Sequence, residues 1–156
     1  MQNQGKTRFT TLAVSRLYNT RVSVVGVDLS RQWIRPMPMY QSDLYHGNES
    51  IFESFGVTEV CLNDWWGSSS RREDRFFTRN EPPYAKKVTA LSESERARLL
   101  RSLLDDSTDA IFSRGRTLGL IKPYVKDVNF RRNPFNPVEY EARFAFEDTL
   151  GGITHN

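Results

Sequence analysis

The sequence predicts a mainly β chain with one principal helix, an α+β arrangement that closes as a small β-barrel. Three observations carry this. Runs rich in β-branched and aromatic residues recur at 8–15, 21–29, 32–36 and 57–66. One stretch, 92–106, has the spacing and start signal of an amphipathic helix. A further alternating run follows it at 138–146. Antiparallel strands with a helix segregated between them are characteristic of small closed or partly open barrels. The chain has 156 residues, enough to bury a core without disulfides. The expected organisation is a loose start at 1–7, a single compact unit over 8–148 with an internal division near 67–90, and a tail at 149–156.

RFTTLAVS (8–15) reads as the first strand and ends at a turn marked by Asn19. RVSVVGVDL (21–29) is almost continuously apolar, as a central strand is. Gly26 inside it signals a bulge or a sharp bend. QWIRP (32–36) is a third strand that Pro36 and Pro38 are expected to end. Residues 39–56 read as a long connection, and VTEVCLNDWW (57–66) as a fourth strand. In the helix, Ser92 and Glu95 fit a capping box, and Leu99, Leu100, Leu103 and Leu104 form the apolar stripe. DAIFSRG (109–115) adds a turn stopped by Gly115, and 116–130 one or two strands interrupted at Pro123. Along 138–146, Val138, Tyr140, Ala142, Phe144 and Phe146 fall on one face, which is expected to be core.

Composition excludes several kinds of chemistry. Cys61 is the one cysteine, and His46 and His155 are the two histidines, too few for a zinc site. No phosphate-cradling glycine motif is present. Asp28, Glu59 and Asp64 remain as carboxylates that a metal nuclease would need clustered. No apolar run is long enough for a membrane helix, and residues 1–11 lack a signal-peptide core. The expectation is therefore a cytoplasmic, non-enzymatic protein with no metal or cofactor and no membrane partner.

Net charge is +3, but the charge is segregated. Residues 71–87 carry net +3 and residues 114–132 net +5, while 91–109 carry −2 and 133–156 carry −3. Aromatics interleave with the cations: Phe76 lies among Arg71, Arg72, Arg75 and Arg79. Tyr124 lies between Lys122 and Lys126, and Phe130 precedes Arg131 and Arg132. Cations that follow phosphates and rings that stack bases are the components of a single-strand binder. In RQWIRP (31–36), strand alternation places Arg31, Trp33 and Arg35 on one face and Ile34 on the other. Trp33 is then a stacking platform with Arg31 and Arg35 on flanking phosphates. The same row has a structural reading: Trp33 packs under the 39–56 segment and the arginines pair with acids.

Three elements together resemble the opening of the dual OB-containing domain family of prokaryotes. They are Val14-Ser15-Arg16, the strand from Arg21 to Gly26, and Trp33-Ile34-Arg35-Pro36. VTEVCL (57–62), and Arg72-Glu73-Asp74 with Phe76, are similar to later family elements. The resemblance implies OB-like barrels, the second of them partial here, and nucleic-acid binding in phage-defence or mobile-element systems. The expected function is a module that binds single-stranded nucleic acid or a nucleotide-like ligand. Its expected binding residues are Arg31, Trp33, Arg35, Arg71, Arg72, Arg75, Phe76, Arg79, Lys122, Tyr124, Lys126, Arg131 and Arg132. The alternatives are a protein-interaction subunit that docks an acidic partner, and an enzyme built on the carboxylates.

Overall fold

The computed structural model describes residues 6–17, 19–64, 71–79, 84–134, 136, 138–148 and 154–155. Residues 1–5, the expected strand end at Trp65–Trp66, residues 67–70 and 80–83, Phe135 and most of the expected tail lie outside them. The chain divides into two compact units, 1–102 with 116–118, and 103–115 with 119–156. The boundary does not fall near 67–90. The strands on both sides of 78–84 pair with the same neighbour, so that segment stays in the first unit. No helix among the described residues is long and apolar enough to cross a membrane.

The first unit carries β1 (Lys6–Arg16), β2 (Arg21–Asp28), β3 (Trp33–Met37) and β4 (Met39–Tyr40), then a 3-10 turn at Gln41–Leu44. It continues with β5 (Tyr45–His46), β6 (Glu49–Ser50), β7 (Gly56–Asp64), β8 (Asp74–Phe77), β9 (Ala85–Ala90) and α1 (Glu93–Leu103), whose last residue belongs to the second unit. Strands β1, β2, β3, β8 and β7 follow one another in the sheet, and β7 pairs back onto β1, which closes a five-stranded barrel. The β3–β8 pair is parallel, and the other barrel pairs are antiparallel.

Closure depends on β1 pairing along both edges, with β2 through Phe9–Arg16 and with β7 through Lys6–Thr10. Its register slips between Thr11 and Ala13, opposite Gly26 and Val25. The bend announced by Gly26 is thus a bulge in the partner strand. A Cβ on Gly26 would strike the Thr10 carbonyl and the Phe9 ring, so the close approach requires glycine. The bulge also switches side-chain parity, which lets Val14 pack on the same core as Phe9. That core joins Phe9, Val22, Val24, Ile34, Met39, Val60 and Phe77, with Phe52 edge-on to both Phe9 and Phe77 at 6.4 and 6.3 Å.

Residues 39–56 are more than a connection. The 3-10 turn and the β5–β6 hairpin bring Leu44, Ile51 and Phe52 into the barrel core. Thr58 Oγ1 donates to the Ile51 carbonyl at 2.7 Å and pins the segment. Pro36 does not end its strand either: it sits inside β3, in register with Arg75. The helix starts as expected. The Ser92 N–H donates to Glu95 Oε2 at 2.8 Å, and the Glu95 N–H donates back to Ser92 Oγ.

The second unit holds α2 (Thr108–Ser113), β10 (Tyr124–Arg132), β11 (Tyr140–Glu147) and β12 (Thr154–His155). Ser107 caps α2 by accepting from the Ala110 N–H at 3.1 Å, and Gly115 adopts φ +69° just beyond it. β10, β11 and β12 form a three-stranded antiparallel sheet, so part of the expected tail is a strand. β10 starts directly after Pro123.

The apolar face of 138–146 is not core. Phe144 is 50% exposed, and Val138 and Tyr140 more so. In the β10–β11 register Val128 lies opposite Phe144 and Phe130 opposite Ala142, so these apolar side chains share one face of the hairpin. Ion pairs Arg131–Glu141 and Lys126–Glu147 are made across the same two strands. Alternation identifies an amphipathic strand but says nothing about what covers its apolar side.

Candidate functional site

Two concavities open on the first unit, and three of the expected binding residues line them, Arg35 and Arg71 in one and Arg79 in the other. The first is a cleft of about 180 Å³ over β2 and β3. Arg21 and Ser23 of β2 and Arg35 and Met37 of β3 line it, with Leu17 and Arg71 entering from the connections after β1 and before β8. The second is a cavity of about 310 Å³ between the 3-10 turn, the β5–β6 hairpin and the end of β8. Tyr40, Asp43, Tyr45, His46, Arg79 and Tyr84 line it.

The Arg31-Trp33-Arg35 row is not a continuous face. Asp28 Oδ1 accepts the N–H groups of Ser30 and Gln32 at 2.8 and 2.9 Å, and the Arg31 N–H donates to the Asp28 carbonyl at 3.0 Å. Arg31 itself adopts φ +63°, so it belongs to the turn and not to the strand. This also assigns Asp28 a structural task. Ile34 points inward as alternation requires, 4% exposed. Trp33 is half-buried, opposite Val27, and lines neither concavity.

Arg35 lines the cleft, but its charge is already matched. Its Nε donates to Asp74 Oδ1 at 2.7 Å and its Nη2 lies 2.5 Å from the same oxygen, without directing a hydrogen bond to it. The side chain is 12% exposed and that of Asp74 1%. The reading of Arg35 as a phosphate-holding cation gives way to that of a buried ion pair joining β3 to β8. The parallel register makes the pair, because Arg35 and Asp74 are direct partners across that ladder. Sequence distance, 39 residues, hides it.

Arg71 and Arg72 are exposed ahead of β8. Arg75 folds back on its own segment, its Nη1 donating to the carbonyls of Arg72 and Asp74 at 2.8 and 2.9 Å. Phe76 is half-buried, beside Met37 in the β3–β8 ladder. Glu73, between them, is buried. Burial pushes its carboxyl up, but hydrogen bonds from the Thr117 N–H, its own N–H, the Leu118 N–H and the Thr117 hydroxyl outweigh this and hold it below 4.5. Glu73 thereby ties 116–118 to the barrel.

Arg79 is fixed on four sides. Its Nε donates to Asp43 Oδ1 at 3.0 Å, and its Nη2 donates to Asp43 Oδ2 at 2.5 Å and to the Pro38 carbonyl at 2.7 Å. Its guanidinium carbon lies 5.4 Å from the Tyr40 ring centroid and 4.7 Å from that of Phe77. Lys122, Tyr124, Lys126, Arg131 and Arg132 all belong to the second unit and are exposed there. Lys126 pairs with Glu147 and Arg131 with Glu141.

The carboxylate alternative finds Glu59 paired with Lys6 at 3.2 Å and Asp28 used in its turn. Among the described residues no three His, Cys, Asp or Glu side chains are grouped as a metal would need. Sequence reading missed Arg21, Tyr40, Asp43, Tyr45 and Tyr84. Arg21 was legible as a cation heading a strand, directly before the inward-facing Val22, but Tyr40, Asp43 and Tyr45 sit in the 39–56 segment read as a connection. No family model, curated protein or solved structure matches this chain.

Proposed function

We propose that the first unit is an OB-type barrel that binds single-stranded nucleic acid, in a cytoplasmic protein of the phage-defence or mobile-element kind that the sequence resemblance implies. The observation that carries this reading is the cleft across β2 and β3. In OB folds, a five-stranded Greek-key barrel binds oligonucleotides on the face of its second and third strands and on the loops between strands one and two and between four and five. Counting barrel strands along this chain as β1, β2, β3, β7 and β8, the cleft lies on strands two and three. Leu17 comes from the first of those loops and Arg71 from the other. Arg21 and Arg71, both exposed, supply the cations.

The test is a titration of the full chain with short single-stranded DNA and RNA over a range of salt. Each phosphate neutralised on a single strand contributes a log–log slope of about −0.7. Arg21→Ala and Arg71→Ala should each reduce the slope by about that amount. Absence of binding at low salt with both nucleic acids overturns the reading.

One observation favours a second reading, a protein-interaction subunit, but one that docks through an apolar face and not through a basic face on an acidic partner. The apolar face of the β10–β11 hairpin leaves Phe130 68% exposed beside Tyr140, Phe144, Val125 and Val128. Contiguous exposed apolar faces of this kind mark interaction surfaces. This reading predicts that Phe130→Ser abolishes partner capture while leaving oligonucleotide binding intact.

A further inference from the structure

The cavity beside the arginine cleft has a lining that phosphate contacts do not need. Tyr40, Tyr45 and Tyr84 contribute aromatic side chains to it, while the Arg79 guanidinium is taken up by the Tyr40 and Phe77 rings and by Asp43. Ser42 and His46 add hydrogen-bonding groups. Its charge is internally matched, because Arg79 is held on both oxygens of Asp43. A neutral site walled by flat π surfaces favours a neutral flat ring over an anion. At about 310 Å³ it lies at the small end of ligand pockets.

The two concavities also adjoin. Arg21, which lines the cleft, is the direct cross-strand partner of Tyr40, which lines the cavity. Pro38, at the edge of the cleft, accepts the hydrogen bond from Arg79. A chain whose phosphate meets Arg21 therefore has the tyrosine-lined cavity next to that phosphate.

We propose that this cavity is a nucleobase pocket, taking one unstacked base of a strand whose backbone runs over Arg21 and Arg71. The proposal rests on the single-strand reading for its biological ligand. The pocket itself is testable apart from it. Among the lining tyrosines Tyr45 is the exposed one, at 54% on the β5–β6 hairpin, so its truncation spares the core.

The full chain is titrated with adenosine, guanosine, cytidine and uridine, and with ribose 5-phosphate as a base-free control, following tyrosine and histidine ring signals by NMR. At least one nucleoside should shift them saturably, and ribose 5-phosphate should not. Stacking on one aromatic side chain is worth roughly a 5- to 150-fold change in affinity. Tyr45→Ala should therefore weaken nucleoside binding by about tenfold, with Tyr45→Phe restoring it. Ser42→Trp, at an exposed position, fills the mouth and should block binding if Tyr45→Ala proves poorly folded. Ring signals unmoved by every nucleoside, equal shifts from ribose 5-phosphate, or unchanged affinity in a folded Tyr45→Ala or Ser42→Trp protein would overturn the proposal. Nucleoside binding without oligonucleotide binding would leave the pocket standing and remove the strand reading. Oligonucleotide binding indifferent to both variants would do the reverse.

Discussion

Replacing Arg35 separates the two roles its position suggests. Its Nε donates to Asp74 Oδ1 at 2.7 Å, and the Asp74 side chain is 1% exposed. Two unit charges about 4 Å apart interact by about 4 kcal/mol at an effective dielectric constant near 20. Removing one member of a buried pair costs about 3–5 kcal/mol, chiefly by stranding the other. The Arg35 side chain keeps 12% of its surface in solvent, so the lower end applies, about 3 kcal/mol. Arg35→Met keeps most of the aliphatic stem and isolates the charge. In a chain of this size it should lower the melting temperature by about 6–12 °C. Arg35→Met combined with Asp74→Leu should recover most of that loss, because an apolar pair of similar volume avoids the desolvation cost. Urea unfolding of the two single variants and the double variant measures the coupling. If Arg35→Met melts within about 2 °C of the parent and instead flattens the salt dependence of oligonucleotide binding, Arg35 is a phosphate contact and the ion-pair reasoning is refuted.

Phe144→Ala should change stability by no more than about 0.5 kcal/mol, since its ring is half exposed on the hairpin. Phe77→Ala should cost about 3–5 kcal/mol, since that ring is 1% exposed and packs on Phe52. Chemical denaturation that ranks the two the other way would reject the assignment of the core. Glu73 predicts a pH dependence of stability. Its folded carboxyl titrates below 4.5, so its contribution is present above that value and is lost as pH falls through the lowered folded value. Glu73→Gln should flatten the acid limb of stability below about pH 4.5. Parallel acid limbs in urea melts of parent and variant would contradict the hydrogen bonding to Thr117 and Leu118.

Four of the five barrel strands and the start of α1 were legible in the residues, whereas β8 lay in a stretch without a strand signal. Alternation buried Ile34, a β-branched run made β2, Gly26 announced the bulge, and Ser92 with Glu95 set the cap. These are local effects: side-chain period, backbone sterics and hydrogen bonds within a few residues. Other features depend on pairings across tens of residues. Arg35 looked like a surface cation because the parallel β3–β8 ladder that seats it against Asp74 is a product of barrel closure. Arg31 left the row because Asp28 claimed the turn. Leu44, Ile51 and Phe52 joined the core from a segment without strand periodicity, because the β5–β6 hairpin folds back on the barrel. The apolar face of β11 was correct as a face and wrong as a core, because periodicity orients side chains and only packing between elements determines whether anything covers them. The tyrosine cavity had no signature at all. Tyr40, Arg79 and Tyr84 meet only once β4, β8 and β9 are arranged around the same closed sheet.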